Sequence, residues 1–185
     1  KMDRKGFVEV DGLYRTNVPG VYAIGDINGK MQLAHVASAQ GLLVADHIAG
    51  KPCKQLHYER IPSCVYCNPE TAMVGLTEEQ ARATGRDVGV GTFSLSGNGK
   101  ALTMGENKGF AKFVYDKATD EILGFHIIGP RATDLAAEVA AVMECEGTVA
   151  EIGRTVHPHP TVSEVVMEAA HVCHSTCVNA PKPRR

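Results

Sequence analysis

The stretch His157-Pro158-His159-Pro160-Thr161-Val162-Ser163-Glu164 decides how the fold of this sequence is assigned. Its two alternating prolines fix φ and disfavour helix, so both histidines are predicted to lie on a stiff extended segment. A helix is predicted to begin directly after it, with Glu164 in the first turn. An imidazole held beside a carboxylate suits a general base, because the carboxylate orients the ring and stabilises the imidazolium. A second interpretation stays open, in which Glu164 closes a capping box with Thr161 and the histidines cap nearby carbonyl groups.

Outward from this stretch, the residues from about Ile61 onward combine predicted strands with predicted helices. Capping boxes predict helix starts after Thr77, Thr148 and Thr161; the first helix is expected to end at Gly85 and the last to run to about Cys177. Apolar patterning predicts an amphipathic helix over 133–145, a strand over 87–95, and a hairpin of strands 109–115 and 121–128. Strands in the middle with helices around them predict an α+β layered domain, with a central, mainly antiparallel sheet flanked by helices.

The first fifty residues have a different organisation. Val21-Tyr22-Ala23-Ile24 is apolar and β-prone, stops at Gly25-Asp26, and is followed by a turn-rich stretch. Residues 35–49 then show helical apolar spacing that Gly50 closes. This strand-loop-helix order is typical of a piece of an α/β layer fold. Because a buried strand needs neighbours that residues 1–50 do not supply, we expect the piece to belong to a larger domain that is truncated here.

Composition narrows the class of protein. The 185-residue chain has 19 Lys and Arg against 21 Asp and Glu. With no basic stripe beyond the short Lys182-Pro183-Arg184-Arg185 end, nucleic acid and membrane surfaces are poor candidate partners. No apolar run approaches the ~20 residues that span a bilayer, and the N-terminus has no signal-peptide core. Six cysteines without the spacing of a secreted disulfide framework indicate an intracellular setting.

Three weaker patterns are not interpreted as functional sites. Gly97-Asn98-Gly99 is predicted to lie in a loop and lacks the third glycine of a dinucleotide fingerprint. Cys64 and Cys67 point to opposite faces if they share an extended strand, which favours small buried hydrophobes over a redox pair or half a zinc site. Residues 171–177 contain two histidines and two cysteines at helical spacing, for which adventitious metal binding is the most that we expect. No metal site is therefore predicted.

The 157–164 stretch resembles the His-x-His-Pro-Thr-x-Ser-Glu motif of dihydrolipoamide dehydrogenases, within the pyridine nucleotide–disulfide oxidoreductase family. In that family the His before Pro-Thr is the acid–base catalyst, and the Glu five residues later holds it. The resemblance implies that His159 is the catalyst, that Glu164 is its partner, and that His157 is a supporting residue.

Four further stretches resemble the same family. The run from Thr16 to Asp26 is similar to its second flavin-binding motif, in which the Asp takes a ribityl hydroxyl of FAD. Gln32-Leu33-Ala34-His35 is similar to its Met-Leu-Ala-His segment, with Gln32 in place of Met. The backbone of that segment meets the flavin, and its helix N-terminus faces the pyrimidine end. The run from Ile61 to Glu70 and the run from Gly124 to Gly129 are similar to the family's dimerisation domain.

The resemblance implies a C-terminal portion with two parts: residues 1–52 from an FAD-binding domain and residues 53–185 as a dimerisation domain. The expected parent enzyme oxidises dihydrolipoamide with FAD, a redox disulfide and NAD. Its Gly-x-Gly-x-x-Gly, its Cys-x4-Cys and its NAD domain are not found in this sequence. Expected partners are a second copy, giving a homodimer, and the lipoyl domains of 2-oxoacid dehydrogenase or glycine cleavage complexes. The expected location is cytoplasmic, or the mitochondrial matrix in a eukaryote.

Two alternatives stay open. One is another family member, such as a glutathione- or trypanothione-type reductase. The other is a purely structural dimerisation module, and we expect the isolated 185 residues to be inactive.

Overall fold

The computed structural model describes residues 1–180. The basic end at 182–185 and the last five residues of the predicted 53–185 domain therefore lie outside the described residues. The chain divides into two compact units, Lys1–Tyr58 and a second that begins at Glu59. No helix in the described part of the chain is long and apolar enough to cross a membrane.

The first unit contains one long helix. This helix, α1 (Ala34–Ile48), confirms the prediction over 35–49, and Gly50 follows it in the left-handed region at φ 72°. A 3-10 turn (Gly25–Asn28) precedes it. The strand predicted over 21–24 is wrong. Within the described residues this run makes only an isolated bridge from Tyr22 to Arg15, because no strand of the unit lies beside it to form a ladder.

The second unit is built on a five-stranded antiparallel sheet. Along the sheet the order is β1-β2-β5-β4-β3, where the strands are β1 (Ser63–Val65), β2 (Thr71–Gly75), β3 (Val88–Ser94), β4 (Phe110–Asp116) and β5 (Ile122–Ile128). The predicted hairpin is β4 and β5, in which Phe113 pairs with Phe125 at a ring separation of 4.8 Å. The predicted α+β class with a central antiparallel sheet is confirmed. The short strands β1 and β2 were not specifically predicted.

Five helices accompany the sheet in the described part of this unit: α2 (Glu78–Ala83), α3 (Gly99–Met104), α4 (Ala132–Glu144), α5 (Val149–Arg154) and α6 (Glu164–Cys173). Short 3-10 turns lie at Tyr58–Arg60 and Leu95–Gly97. The capping boxes predicted at Thr77 and Thr148 are both complete. The loop predicted around Gly97-Asn98-Gly99 is wrong in part, because the Asn98 side chain accepts a hydrogen bond from the backbone N–H of Ala101 and starts α3.

The start and the end of α6 differ from the prediction. The carboxylate of Glu164 accepts from the backbone N–H of Thr161, but the Thr161 hydroxyl donates to the carbonyl of Pro158 instead of accepting from the helix. Only half of the predicted capping box therefore forms. The helix ends at Cys173 rather than near Cys177, because Ser175 takes up the left-handed conformation at φ 58°.

Helix α6 lies close to β3 because Gly91 has no side chain. A Cβ at this position would lie 2.3 Å from Sγ of Cys173 and 2.7 Å from the backbone oxygen of Ala169. Such distances are below van der Waals contact, and the helix backbone cannot yield as a flexible side chain can. Gly91 thus sets how near the sheet α6 can pack, and α6 begins with Glu164.

We expect Gly91→Ala to lower the free energy of unfolding by about 1–3 kcal/mol, the usual range for overpacking a filled core. Gly99→Ala is the matched control, because a Cβ there has no heavy atom within 4 Å. The control should not lose stability. Denaturant unfolding of both variants measures the difference, and equal stability would contradict the close-packing argument.

Candidate acid–base site

His159 and Glu164 are brought together by the turn that leads into α6. Nδ1 of His159 lies 2.8 Å from Oε1 of Glu164. The other carboxylate oxygen, Oε2, accepts the backbone N–H of Thr161 at 2.9 Å. One carboxylate thereby holds both the ring and the peptide that follows Pro160. The pairing predicted from the sequence is present, and the catalytic role of the two residues stays a prediction.

The geometry assigns the proton of the neutral His159 ring. An ionised carboxylate can only accept, so Nδ1 carries the hydrogen and donates it to Glu164. The lone pair then belongs to Nε2, which makes no hydrogen bond to any described residue. The side chain of His159 is 76% exposed. Its orientation is therefore fixed on one edge while the basic nitrogen on the other edge is open to a proton donor.

Glu164 is held in its charged form. Burial raises its pKa, but the Thr161 N–H and the neighbouring His159 and His157 outweigh burial and leave the pKa below its ordinary value. The side chain is only 17% exposed, and it lies in the first turn of α6, where the helix dipole favours negative charge. A stable carboxylate is the partner that an imidazole needs when it takes up a proton.

His157 is anchored by a residue that the sequence did not indicate. Its Nε2 lies 2.9 Å from Oε1 of Glu138 on α4, and its Nδ1 lies 2.9 Å from the backbone oxygen of Thr155. The hydrogen bond to Glu138 raises the pKa of His157 above its ordinary value, against burial that lowers it. The position of α4 is itself fixed by Glu70, which accepts the backbone N–H and the hydroxyl of Thr133 at 3.0 and 2.7 Å.

Asn98 is the second residue that sequence reasoning missed. Its side-chain amide donates to the backbone oxygen of Thr161 at 3.0 Å, while its oxygen accepts the N–H of Ala101 at 2.9 Å. The residue is buried. It therefore ties the start of α3 to the turn that carries His159 and Glu164. The Asn-Gly sequence pointed to a turn, and nothing local to it pointed to residue 161.

In the first unit, Asp26 is exposed on a turn that a buried amide supports. The Gln40 side-chain oxygen accepts the backbone N–H of Gly25 at 2.7 Å and the side-chain amide of Asn28 at 2.9 Å. Gln40 donates in turn to the Tyr58 hydroxyl at 2.9 Å. The Asp26 side chain makes no hydrogen bond within the described residues. A rigid turn thus presents a carboxylate that can accept a hydrogen bond from a hydroxyl group.

The predicted Gln32-Leu33-Ala34-His35 segment lies at the N-terminus of α1. Leu33 is the N-cap, and no side chain caps this helix end. Gln32, Ala34 and His35 are exposed, and Leu33 is half-buried. A helix N-terminus carries partial positive charge and is suited to an electron-rich ring edge. The roles predicted for these four residues and for Asp26 stay predictions.

The Cys64–Cys67 pair and the 171–177 segment, which were not interpreted as functional sites from the sequence, have ordinary surroundings in the structure. Only Cys64 lies on β1, where it is half-buried; Cys67 lies beyond the strand and is exposed, so its interpretation as a buried hydrophobe is wrong. No group of three or more possible metal ligands occurs among residues 1–180. The side chains of 171–177 face separate partners. His171 lies 2.8 Å from the Gly153 carbonyl and His174 lies 2.8 Å from Asp120.

Comparison with known proteins identifies the family. Residues 61–170 match the sequence model of the pyridine nucleotide-disulphide oxidoreductase dimerisation domain, and residues 1–41 match a second model of pyridine nucleotide-disulphide oxidoreductases. The chain is 46% identical over 179 residues to the dihydrolipoyl dehydrogenase of Thermus scotoductus, with 97% of this chain covered. It is also 46% identical over 165 residues to that of Bacillus subtilis, with 89% covered.

Solved structures give the same fold. LpdA from Mycobacterium tuberculosis superposes with a TM-score of 0.87 at 27% identity, covering 92% of this chain and 37% of LpdA. The HOCl-induced flavoprotein disulfide reductase RclA from Escherichia coli gives 0.84 at 25% identity, covering 90% and 38%. The chain spans only 35–39% of the length of the curated relatives that it matches.

Replacement of Asn98 tests the link to Thr161. Asn98→Ala should lower the free energy of unfolding by about 1–3 kcal/mol, because a helix cap is lost and a carbonyl loses its donor. Asn98→Asp keeps the acceptor that caps α3 but sets an oxygen against the Thr161 carbonyl. It should therefore also be destabilised in denaturant unfolding. Wild-type stability of Asn98→Asp would show that the Thr161 contact contributes nothing.

The charge of Glu164 gives a pH dependence. Because the folded pKa lies below the ordinary value of 4.5, the ionised carboxylate stabilises the fold above about pH 4.5, and this contribution is lost as the pH falls through the folded pKa. The stability difference between wild type and Glu164→Gln should therefore be widest above that pH and shrink below it. Unfolding curves at a series of pH values measure it. A difference that does not change with pH would contradict the assignment.

Proposed function

This chain belongs to the pyridine nucleotide-disulphide oxidoreductase family, and we propose that it supplies the acid–base pair and the dimerisation domain of a dihydrolipoyl dehydrogenase. The observation that carries the proposal is the His159–Glu164 pair, with Nδ1 bonded to the carboxylate and Nε2 open. The dihydrolipoyl dehydrogenase names of relatives at 42–47% identity support the choice of substrate. Residues 1–52 are proposed to belong to the FAD-binding domain and residues 53–185 to the dimerisation domain.

The proposed step is removal of a proton from a dihydrolipoyl thiol. Only the thiolate attacks a disulfide. Nε2 of His159 takes the S–H proton, and the sulfur keeps the electron pair. Attack then forms a substrate–enzyme S–S bond and breaks the enzyme disulfide, whose second sulfur leaves as a thiolate. Glu164 stays ionised and stabilises the imidazolium until the proton is released. The disulfide that this step requires is proposed to lie outside these 185 residues.

Two features of the first unit fit FAD. Asp26 presents a carboxylate with no bond to another described side chain, which suits a ribityl hydroxyl group. The N-terminus of α1, at Gln32-Leu33-Ala34-His35, has no capping side chain. Its partial positive charge is therefore available to an edge of the flavin ring. When bound, FAD supplies the electron acceptance that joins dithiol oxidation to NAD reduction. NAD is the proposed co-substrate, and we assign none of the present residues to it.

The proposed assembly is a homodimer in which His159 serves the disulfide of the second copy. The match of residues 61–170 to a dimerisation domain supports this arrangement, as does the 76% exposure of the His159 side chain. A two-fold axis would bring an exposed base on this domain to the surface of the second copy. Lipoyl domains of 2-oxoacid dehydrogenase or glycine cleavage complexes are the proposed source of that thiol.

The test uses the natural full-length holoenzyme and its His159→Gln variant. Because Gln cannot take up the proton, NAD-dependent oxidation of dihydrolipoamide should fall by about 10²–10⁴-fold. Flavin reduction by NADH needs no thiol deprotonation and should be little affected. His174→Gln is the matched control, since it also removes a histidine 2.8 Å from a carboxylate, but at the other end of α6. The control should keep dihydrolipoamide turnover.

Two results would contradict the proposal. Near-normal dihydrolipoamide oxidation by His159→Gln would leave the histidine with a structural role only. Wild-type holoenzyme that reduces glutathione disulfide and does not turn over dihydrolipoamide would place the protein with the glutathione-type reductases.

A further inference from the structure

Both ring nitrogens of His157 face oxygen atoms that accept hydrogen bonds. Nδ1 lies 2.9 Å from the carbonyl oxygen of Thr155, and Nε2 lies 2.9 Å from Oε1 of Glu138. The His157 side chain is only 4% exposed, so water does not replace either partner. A neutral imidazole has one N–H and one lone pair. It could satisfy one of these oxygens and would set its lone pair against the other.

A doubly protonated ring removes this conflict. The carbonyl of Thr155 has no proton to give. The Glu138 side chain is 31% exposed, and its carboxylate also acts as an acceptor. Imidazolium donates to both oxygens at once, and the contact with Glu138 becomes a charge-assisted hydrogen bond, a stronger class than a neutral one. The geometry is therefore that of an ion pair between α4 and the segment that enters the candidate site.

We infer that Glu138 and His157 form a lasting ion pair that positions His159, a role that rests on the proposed function. Only Pro158 separates the two histidines, and its ring fixes φ, so the backbone that leaves His157 has little freedom before it reaches His159. On the far side, Glu164 and Asn98 hold Thr161. His159 is thus anchored at both ends by partners from three different helices or helix starts.

The ion pair also acts on the charge of Glu164. The acidic groups that influence His157 are Glu138 from α4 and Glu164 from α6, and both raise its pKa. The influence is reciprocal, because the positive ring helps to hold the pKa of Glu164 low. Removal of the cation should therefore let Glu164 protonate more readily. His157 is accordingly a positioning residue that acts through Glu164 and the backbone and does not touch the substrate.

The first experiment reads the protonation of the ring directly. In the full-length protein labelled with ¹⁵N-histidine, His157 should show a proton on both nitrogens at neutral pH, and Glu138→Gln should lower the pH at which it titrates. A spectrum with one proton on His157 at neutral pH would overturn the ion pair. This result does not depend on which substrate the protein uses.

The second experiment tests positioning in the natural holoenzyme. His157→Gln should lower the turnover of dihydrolipoamide about tenfold to a hundredfold, the scale of a small misplacement of a catalytic group. NADH-driven flavin reduction should not change. The acid limb of the pH–rate profile for dihydrolipoamide oxidation should move to higher pH, because Glu164 protonates more readily without the neighbouring cation. The double variant with Glu138→Gln should be no slower than His157→Gln alone, because the two residues act as one unit.

The controls separate this inference from the proposed function. His174→Gln should keep the turnover and the pH profile of the wild type. Equal slowing of thiol-driven and NADH-driven reduction by His157→Gln would overturn positioning in favour of a general structural effect. Absence of any dihydrolipoamide turnover in wild type would instead refute the proposed function, and the histidine spectrum would still decide whether the ion pair exists.

Discussion

One carboxylate, that of Glu164, is shared between the Nδ1 of His159 and the backbone N–H of Thr161. The segment between Thr155 and Glu164 contains no helix or strand, so side chains have to hold it where backbone ladders do not. Its position depends on α6, whose closeness to the sheet depends in turn on Gly91. The antiparallel sheet therefore supports the site by packing against the helix that carries Glu164.

The parts of the fold that follow from local chemistry could be predicted from the sequence. Complete capping boxes at Thr77 and Thr148 and the hairpin of β4 and β5 depend on residues that are close in sequence, and the structure has them. The strand predicted over 21–24 failed because strand formation depends on a neighbour and apolar character alone does not provide one. Only half of the capping box at Thr161 formed, because the Thr161 hydroxyl donates to the carbonyl of Pro158. Pro158 lies before the capping-box pattern, so that pattern does not predict this contact.

In the candidate site, too, the contacts between residues close in sequence could be predicted and those between distant residues could not. His159 and Glu164 are five residues apart, and a proline-fixed turn into a helix brings such residues together. Glu138 lies 19 residues before His157, and Asn98 lies 63 residues before Thr161. These contacts arise from the packing of α4 and α3 against one segment, which no periodicity in the sequence encodes. The sequence thus predicted the pair that is proposed to perform the chemistry and missed Glu138 and Asn98, which hold the segment that carries it.

The anchoring of the His159 backbone has a consequence for conformational entropy. Fixing a residue in a single backbone well costs about 1–2 kcal/mol, and ordering its side chain adds to this. In this chain the loss occurs during folding, because Glu164, Asn98 and Glu138 already hold the segment while the imidazole remains exposed. Under the proposed function, an arriving thiol therefore meets a ring whose freedom was removed beforehand. In that case only the thiol has to be immobilised, and we expect the loss of entropy on reaching the transition state to be correspondingly small.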